Sequence, residues 1–556
     1  MSSIRHLEIF FILLWTVLIT WCSFKGNGGL LGIDDADIFF VYAKNLASGK
    51  GLTYSLGIPP VEGYTSTLWM LLASLMFFLK LNEVGVLGLS MIFFAASQVV
   101  SFKIIDGVKL KNKSAIKLLY VWIISSSFGY ITWTTVSLMD TGLWSCLLMG
   151  LIYFLVFGPQ NKKSWSLLAC LFGLAPLARP EAYLLCPILL GLFYLKGRMN
   201  HLSVRPVLCV CLGFLISVFS LTVFRLIYFG YPLPNTYYAK VSSSFRYNVT
   251  QGFDYLLGFL NSNVLANIAL AGALLSGTLF LREIYFFVFK HGAIKRAIIP
   301  YSQECGLLSI FVLILLLLPV FSGGDHFNLF RFYQPAFPII VILVLILGSI
   351  HLRLEKIPKL LVLPSIAFWI FWCSSKDNWP RLLHEDSPVK IEFKVAFWGK
   401  NLGASLNQIF SDSKSGYPSV GVIAAGGIGR FYKGVLYDLM GLNNSFIAHF
   451  SGERQGIKNH AAFQKAAFFA LPIDLIPESP DNSFAQKALK GLFSDTTFVR
   501  EWSYGRLALS LDPKTHVEAF FRNRFLQDLA EDSHFVFKMT KKYNSSEKKW
   551  DPIRGS

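Results

Sequence analysis

The apolar and polar positions of this chain alternate on the scale of whole membrane spans. Apolar runs, several of them near the roughly 20 residues that cross a bilayer, are separated by loops that carry lysine and arginine. We interpret about eleven of these runs as transmembrane helices. The predicted spans are residues 9–24, 84–105, 118–137, 143–157, 166–177, 182–195, 207–228, 264–281, 307–321, 336–350 and 360–373.

The run at residues 65–79 does not fit that series. As a span it would place Lys103, Lys109 and Lys111 on the outer side, against the excess of basic residues that cytoplasmic loops carry. We therefore expect it to form an interfacial helix at the outer membrane surface. The N-terminus is then cytoplasmic, and the loop after the first span lies outside together with this helix.

Composition agrees with a polytopic membrane protein. Hydrophobic residues make up 54% of the chain and charged residues only 15%. The net charge of +18 is explained by basic inner loops beside anionic lipid, so it does not predict a nucleic-acid partner. The partner that composition does predict is the lipid bilayer.

The final third of the chain is more polar and predicts a second domain. We expect residues 1–375 to form the helical membrane domain and residues 376–556 a globular α/β domain on the outer side. Residues 420–425 have the pattern of a buried strand, and Gly426, Gly427 and Gly429 follow it. These glycines resemble half of a dinucleotide-binding fingerprint. Without its full spacing, a tight turn from strand to helix is the better interpretation.

Three acids stand directly after the first span. Asp34, Asp35 and Asp37 open a short amphipathic run that ends at Gly49. Acids in the first turn of a helix satisfy free N–H groups and the helix dipole, so capping explains one of them. Three carboxylates within four residues suggest a second role.

Other polar residues near membrane level fall on the same outer side of the predicted topology. Ionisable groups at membrane depth are costly and usually face a cavity or one another. We therefore expect an active site or a transport vestibule at the outer boundary. Simpler roles stay open, such as an Arg179–Glu181 pair, a solvated or metal-binding Asp325–His326 pair, and helix capping by Asp140. The set comprises Glu62, Tyr64, Asp140, Arg179, Glu181, Asn235, Tyr238, Lys240, Asp325, His326 and Arg331.

The short motifs around these polar residues resemble those of the mycobacterial terminal β-(1→2) arabinofuranosyltransferase family and its bacterial relatives. That family belongs to the GT-C glycosyltransferases, multi-span enzymes that take sugar from a polyprenyl-phosphate carrier. The resemblance covers residues 30–450 in patches. The matching motifs are Asp34-Asp35-Ala36, Val61-Glu62-Gly63-Tyr64, Arg179-Pro180-Glu181, Asn235 to Lys240, Gly323-Gly324-Asp325-His326 and Asp438 to Asn443.

The resemblance implies an enzyme that transfers a sugar, such as arabinofuranose, on the outer face of a bacterial inner membrane. A carboxylate must take the proton of the acceptor hydroxyl, and cations or a metal must hold the leaving phosphate. We place Asp34 first and Asp35 second as that base, with a Mg²⁺ or Mn²⁺ ion between the acids and the phosphate as a further option. The acceptor would be an envelope glycan, lipopolysaccharide or protein.

The remaining site residues divide into two groups. Arg179, Lys240, Arg331 and His326 are expected to bind the donor phosphate. Residues expected to bind other parts of the substrates are Glu62, Tyr64, Asn235, Tyr238, Glu181 and Asp325.

Two other functions stay open from the sequence. A transporter or flippase of a lipid-linked saccharide would also carry charges within the membrane, although usually near its midplane and on repeated elements. A non-catalytic envelope assembly factor with a glycan-binding outer domain is the second.

Overall fold

The structure is a computed structural model of the chain. It describes residues 2–158, 161–199, 203–242, 244–289, 303–351, 387–452, 457–458 and 461–553. The predicted span at 360–373 and the predicted domain boundary at 375 lie outside these ranges.

The first part of the chain is helical. Its helices are α1 (Ser2–Gly26), α2 (Asp34–Ala47), α3 (Thr67–Phe78), α4 (Asn82–Gly107), α5 (Lys113–Ser126), α6 (Phe128–Thr134), α7 (Thr141–Val156), α8 (Lys162–Ala178), α9 (Ala182–Met199), α10 (Arg205–Tyr228), α11 (Asn235–Lys240), α12 (Phe245–Ser262), α13 (Val264–Phe289), α14 (Gln303–Phe321) and α15 (Phe337–His351).

Within the described residues, seven of these helical stretches are long and apolar enough to cross a membrane. They lie in α1, α4, α9, α10, α13, α14 and the stretch Arg331–Ile350, and each coincides with a predicted span. The chain is therefore a helical membrane protein with several spans.

Three further predicted spans take other forms. The one at 118–137 is divided between α5 and α6, which meet at an angle of 77°. The spans at 143–157 and 166–177 correspond to α7 and α8, of 16 and 17 residues. The total of eleven spans thus stays a prediction.

The run at 65–79 forms α3, a helix of 12 residues that is too short to cross a bilayer. Ser66 begins it, because its hydroxyl accepts the backbone N–H of Trp69 at 3.2 Å. One face buries Trp69, Met70 and Ala73, while Leu71 and Leu75 are exposed. Such a helix has the proportions of an interfacial one, and its orientation to the membrane stays a prediction.

The last part of the described chain combines a sheet with short helices. The helices are α16 (Lys390–Ile409), α17 (Gly426–Phe431), α18 (Ser445–His449), α19 (Lys465–Phe469), α20 (Ser483–Ala488), α21 (Thr496–Glu501) and α22 (Asn523–Ala530). The strands are β1 (Val420–Val422), β2 (Leu436–Asp438), β3 (Leu475–Ile476), β4 (Trp502–Leu509), β5 (His516–Arg522), β6 (Phe535–Asn544) and β7 (Lys549–Pro552).

These seven strands form one mixed sheet with the order β2-β1-β3-β5-β4-β6-β7. β1 pairs in parallel with β2 and β3, and the remaining pairings are antiparallel. The predicted strand at 420–425 is β1. A short turn from strand to helix follows, as expected, but it is formed by residues 423–425, and the glycines lie in α17, which begins at Gly426.

The sheet region packs directly on the membrane part through α2. Helices α16 and α17 both contact α2, and the core formed by the membrane helices extends into α16 and β1. The backbones approach very closely, because a Cβ at Gly426 would lie 1.7 Å from the carbonyl oxygen of Asp34. Only glycine fits there.

Candidate active site

The three acids of α2 point to two different sides of the helix. Successive residues of an α-helix are separated by about 100°, so Asp34 and Asp37 share a face and Asp35 faces elsewhere. Ile33 occupies the N-cap position, so none of the three acids caps the helix from there, although all lie in its first turn. Their side-chain partners therefore decide what each does.

Asp35 faces a group of cations. Its Oδ2 lies 3.3 Å from a guanidinium nitrogen of Arg331 and 3.8 Å from the Nζ of Lys240. Arg331 is held in turn by Asp325, whose Oδ2 accepts its Nε–H at 2.7 Å. The ring of Phe327 packs 4.3 Å from the same guanidinium. Arg331 is thus fixed, whereas Lys240 makes only a long contact with the acid.

The cations decide the charge state of Asp35. Partial burial raises the pKa of this carboxyl, but Lys240, Arg331 and His326 more than offset that effect. The net result is a pKa below the ordinary aspartate value. Asp35 is therefore ionised at neutral pH and able to accept a proton.

Asp34 faces the sheet region instead. Its two carboxylate oxygens accept the backbone N–H groups of Gly426 and Gly427 at 2.9 and 2.8 Å. Burial raises the pKa of Asp34 to about 7, although these two hydrogen bonds act in the opposite direction. Asp34 does not line the cavity described below.

Asp37 also contacts the sheet region, through a buried ion-pair network. It lies 2.8 Å from Arg430 and 3.1 Å from the Nζ of Lys400, and its side chain is fully buried. Arg430 also binds Glu83 at 2.6 Å. Two of the three acids thus hold α16 and α17 against α2, and one faces the cations.

A cavity of about 540 Å³ opens beside Asp35. Six of the sequence-predicted residues line it. Asp35, Lys240 and Arg331 contact one another, and we call this group the polar end of the cavity. Most of its remaining lining is apolar, including Leu184, Leu233, Phe245, Leu318 and Phe321. The six are Asp35, Tyr64, Arg179, Glu181, Lys240 and Arg331.

All three guanidinium nitrogens of Arg179 bond carboxylates, whereas two of those of Arg331 do. Arg179 binds Asp140 at 3.0 Å and Glu181 at 2.7 Å, so the local Arg179–Glu181 pair expected from the sequence is present. Helix capping was the simpler role for Asp140, but its side chain is buried against Arg179 and makes no cap hydrogen bond. Lys240 and Arg331 are therefore better placed than Arg179 to meet an added anion.

Glu62 lies near the cavity but does not line it. It forms a buried ion pair with Arg225, with N–O distances of 2.7 and 2.9 Å. Sequence reasoning missed Arg225, although an arginine inside the apolar run 207–228 is a signal for a buried acidic partner. Glu62 is held by this pair rather than turned toward a ligand.

Four more predicted residues, Asn235, Tyr238, Asp325 and His326, lie outside the cavity lining. Asn235 donates to the carbonyl oxygens of Gly441 and Leu442 at 2.7 and 2.9 Å. The ring of Tyr238 packs 4.3 Å from that of His449. His326 lies 3.4 Å from Asp325, which is itself buried and paired with Arg331.

The acids of α2 do not fit a shared metal ion. Both oxygens of Asp34 accept glycine N–H groups, and Asp35 faces cations on the other side of the helix. Across the described part of the chain, no three His, Cys, Asp or Glu side chains are grouped so that they could hold a metal. The option of a Mg²⁺ or Mn²⁺ ion shared by these acids and the phosphate therefore has no support in this geometry.

Comparison with family models, curated proteins and solved structures found no match for this chain. The class of protein that the fold defines is a helical membrane protein with a sheet region packed on its first loop helix. Its function must be argued from the cavity.

Proposed function

We propose that this protein is a membrane glycosyltransferase that moves a sugar from a polyprenyl-phosphate donor to an acceptor hydroxyl. One observation carries the proposal. The ionised carboxylate of Asp35 lies beside Lys240 and Arg331 at the polar end of a cavity whose remaining lining is mostly apolar. A lipid-linked sugar phosphate has matching parts, namely a polar sugar, an anionic phosphate and an apolar chain.

The chemistry assigns a role to each group. Asp35 accepts the proton of the acceptor hydroxyl as its oxygen bonds to the anomeric carbon of the donor sugar. The bond between that carbon and the phosphate oxygen breaks, and polyprenyl phosphate leaves with the electron pair. Lys240 and Arg331 stabilise the charge that develops on the phosphate. This scheme uses no metal ion.

Donor binding would also make Asp35 a stronger base. In the absence of substrate, Lys240 and Arg331 hold the pKa of Asp35 low. A phosphate that binds Lys240 and Arg331 takes over part of their charge, so the proton affinity of Asp35 rises when the donor is in place. Lys240 can move toward the phosphate at little cost, since its 3.8 Å contact with Asp35 is long for an ion pair.

The apolar lining suits the first isoprene units of the carrier. Leu318 and Phe321 belong to α14, a membrane span, while Phe245 begins α12 and Leu233 precedes α11. A volume of about 540 Å³ lies within the usual range of roughly 300–1,000 Å³ for small-molecule sites. It accommodates the sugar phosphate and the start of the chain, and the rest would lie in the bilayer.

The finer identity follows the sequence resemblance. We propose a GT-C-type arabinofuranosyltransferase-like enzyme with about eleven spans in a bacterial inner membrane, acting on its outer face. The acceptor is an envelope glycan, lipopolysaccharide or protein.

A transfer assay in detergent tests the proposal. Purified protein is incubated with polyprenyl-phosphate-linked sugars, arabinofuranose first, and with envelope glycan extract, and the product is identified by mass spectrometry. We expect transfer by the native protein and a loss of about 100-fold or more for Asp35→Asn. Exposed Asp412 provides the matched control, since Asp412→Asn should transfer normally. A transporter would give no product without a membrane gradient, and that result would overturn the proposal.

A further inference from the structure

The segment Asp438–Asn443 of the sheet region forms a turn built around one buried acid. Asp438 is fully buried, and its Oδ1 accepts the backbone N–H of Met440 at 2.8 Å. Its Oδ2 accepts both the backbone N–H and the side-chain Nδ2–H of Asn443, at 2.8 and 2.9 Å. These three hydrogen bonds fix the shape of the turn and the orientation of the Asn443 amide.

The fixed amide binds the helix that carries Asp35. Asn443 Oδ1 accepts the hydroxyl of Tyr42 at 3.1 Å, and the same hydroxyl accepts the backbone N–H of Gly63 at 3.1 Å. Tyr42 lies on α2 about two turns after Asp35 and is fully buried. The fit is close, since a Cβ at Gly63 would lie 1.9 Å from Asn443 Oδ1.

The same turn binds the helix that carries Lys240. Asn235, the first residue of α11, donates to the carbonyl oxygens of Gly441 and Leu442. Lys240 is the last residue of this short helix, so fixing Asn235 restricts the position of the lysine. Leu442 itself lines the cavity.

We propose that the turn Asp438–Asn443 is a positioning element that holds α2 and α11 so that Asp35 and Lys240 lie together at the polar end of the cavity. This inference rests on the proposed function for the roles of those two residues. It makes the sheet region part of the catalytic apparatus, although Leu442 is its one contribution to the cavity lining among the described residues. Asn443, Tyr42 and Asn235 are then positioning residues.

Small misplacements of reacting groups can cost about 100-fold in rate. The variants Tyr42→Phe and Asn443→Ala each remove one partner of the same hydrogen bond and leave the cavity lining unchanged. We expect kcat to fall about tenfold in each when measured well below the unfolding temperature, with a smaller change in KM for the acceptor. Asn482→Ala is the matched control, since the Asn482 amide also donates to a carboxylate of the sheet region, that of Glu478, but caps α20.

Two readouts separate positioning from a merely structural role. If Tyr42 and Asn443 act through their shared bond, the double variant should have a kcat within about twofold of the lower single variant. Hydrogen exchange should rise in residues 36–48 for Tyr42→Phe, and in both 36–48 and 235–242 for Asn443→Ala, without a general rise in the membrane helices. A purely structural bond would lower the unfolding temperature and leave kcat unchanged below it.

The outcomes are distinguishable from failure of the proposed function. If the native protein and Asn482→Ala transfer no sugar, the proposed function is wrong, and hydrogen exchange still decides whether the turn holds the two helices. If both proteins transfer sugar but the turn variants keep full kcat, or if exchange in the two segments does not change, the positioning inference is overturned.

Discussion

The two faces of α2 use the same residue type for different purposes. On one face Asp35 meets the partly exposed Lys240 and the buried Arg331, and lines a cavity. On the other face Asp34 and Asp37 meet backbone N–H groups and buried bases of the sheet region. The first face can exchange its partners for a ligand, whereas the second is closed by protein.

The pKa values follow the same division. Cations hold the pKa of Asp35 below its ordinary range, while burial raises the pKa of Asp34 to about 7. The N–H groups of Gly426 and Gly427 do not offset the effect of burial on Asp34, whereas Lys240, Arg331 and His326 offset its effect on Asp35. The pKa values of the adjacent residues Asp34 and Asp35 are thus shifted in opposite directions by their different surroundings.

The largest expected effect is on the face of α2 that packs against the sheet region. Asp37→Asn leaves Arg430 and Lys400 with less opposing charge in a buried network, which should lower the free energy of unfolding by about 3–5 kcal/mol. Denaturant unfolding of the purified protein measures this. Glu547→Gln removes an exposed ion pair and should change stability by less than about 0.5 kcal/mol. Equal effects of the two variants would contradict a structural role for Asp37.

The next largest loss of stability is expected for Gly426→Ala. The new Cβ would collide with the backbone of Asp34, so the sheet region must shift away from α2 at a cost of about 3 kcal/mol. We expect a lower unfolding temperature and a reduced yield of folded protein. Gly88→Ala is the control, because no heavy atom lies within 4 Å of its added Cβ. A native-like Gly426→Ala variant would mean that this close approach is not required.

At the face of α2 that lines the cavity, substitutions should change the rate of sugar transfer. Lys240→Met replaces the lysine with an uncharged side chain of similar length. It should lower sugar transfer by about 100-fold, which corresponds to about 2.7 kcal/mol in the barrier. Its unfolding temperature should hardly change, since the lysine makes only a long contact with Asp35. The control is Lys50→Met at an exposed position, and this variant should transfer sugar normally. Unchanged transfer by Lys240→Met would remove this lysine from the phosphate site.

The pH dependence of stability tests the face of α2 that packs against the sheet region. Because the pKa of Asp34 is raised to about 7, the folded protein binds this proton more strongly than the unfolded chain, whose aspartates titrate near 4. Stability therefore falls as pH rises from about 4 to 7. The unfolding temperature should be lower at pH 8 than at pH 5, and Asp34→Asn should reduce that difference by about 3 °C. An unchanged difference would show that Asp34 does not titrate in this range.

Seven of the predicted spans coincide with long apolar helices of the described chain, because the length of an apolar run is a local property. The sequence also identified three cations of the cavity lining, since Arg179, Lys240 and Arg331 stand at the ends of apolar runs or in proline-stiffened loops. It ranked Asp34 above Asp35, and the geometry favours the reverse order. Which of two adjacent acids faces a ligand depends on what packs against each side of the helix.

Partners from distant parts of the chain carried no usable signal. Lys400 and Arg430 lie more than 360 residues after Asp37, in a polar region where basic residues are ordinary. The role of Asp438 was equally hidden, because its three hydrogen bonds stay within the turn and its effect passes through Asn443 to Tyr42. Such pairings are set by the tertiary structure.

The most direct test compares Asp35→Asn with Asp34→Asn in one preparation, measuring sugar transfer and unfolding temperature for each. The division between the two faces predicts that Asp35→Asn loses transfer and keeps its stability. Asp34→Asn should keep most of its transfer well below the unfolding temperature and lose stability. Lost transfer with intact stability in Asp34→Asn, together with normal transfer in Asp35→Asn, would contradict this assignment and restore Asp34 as the base.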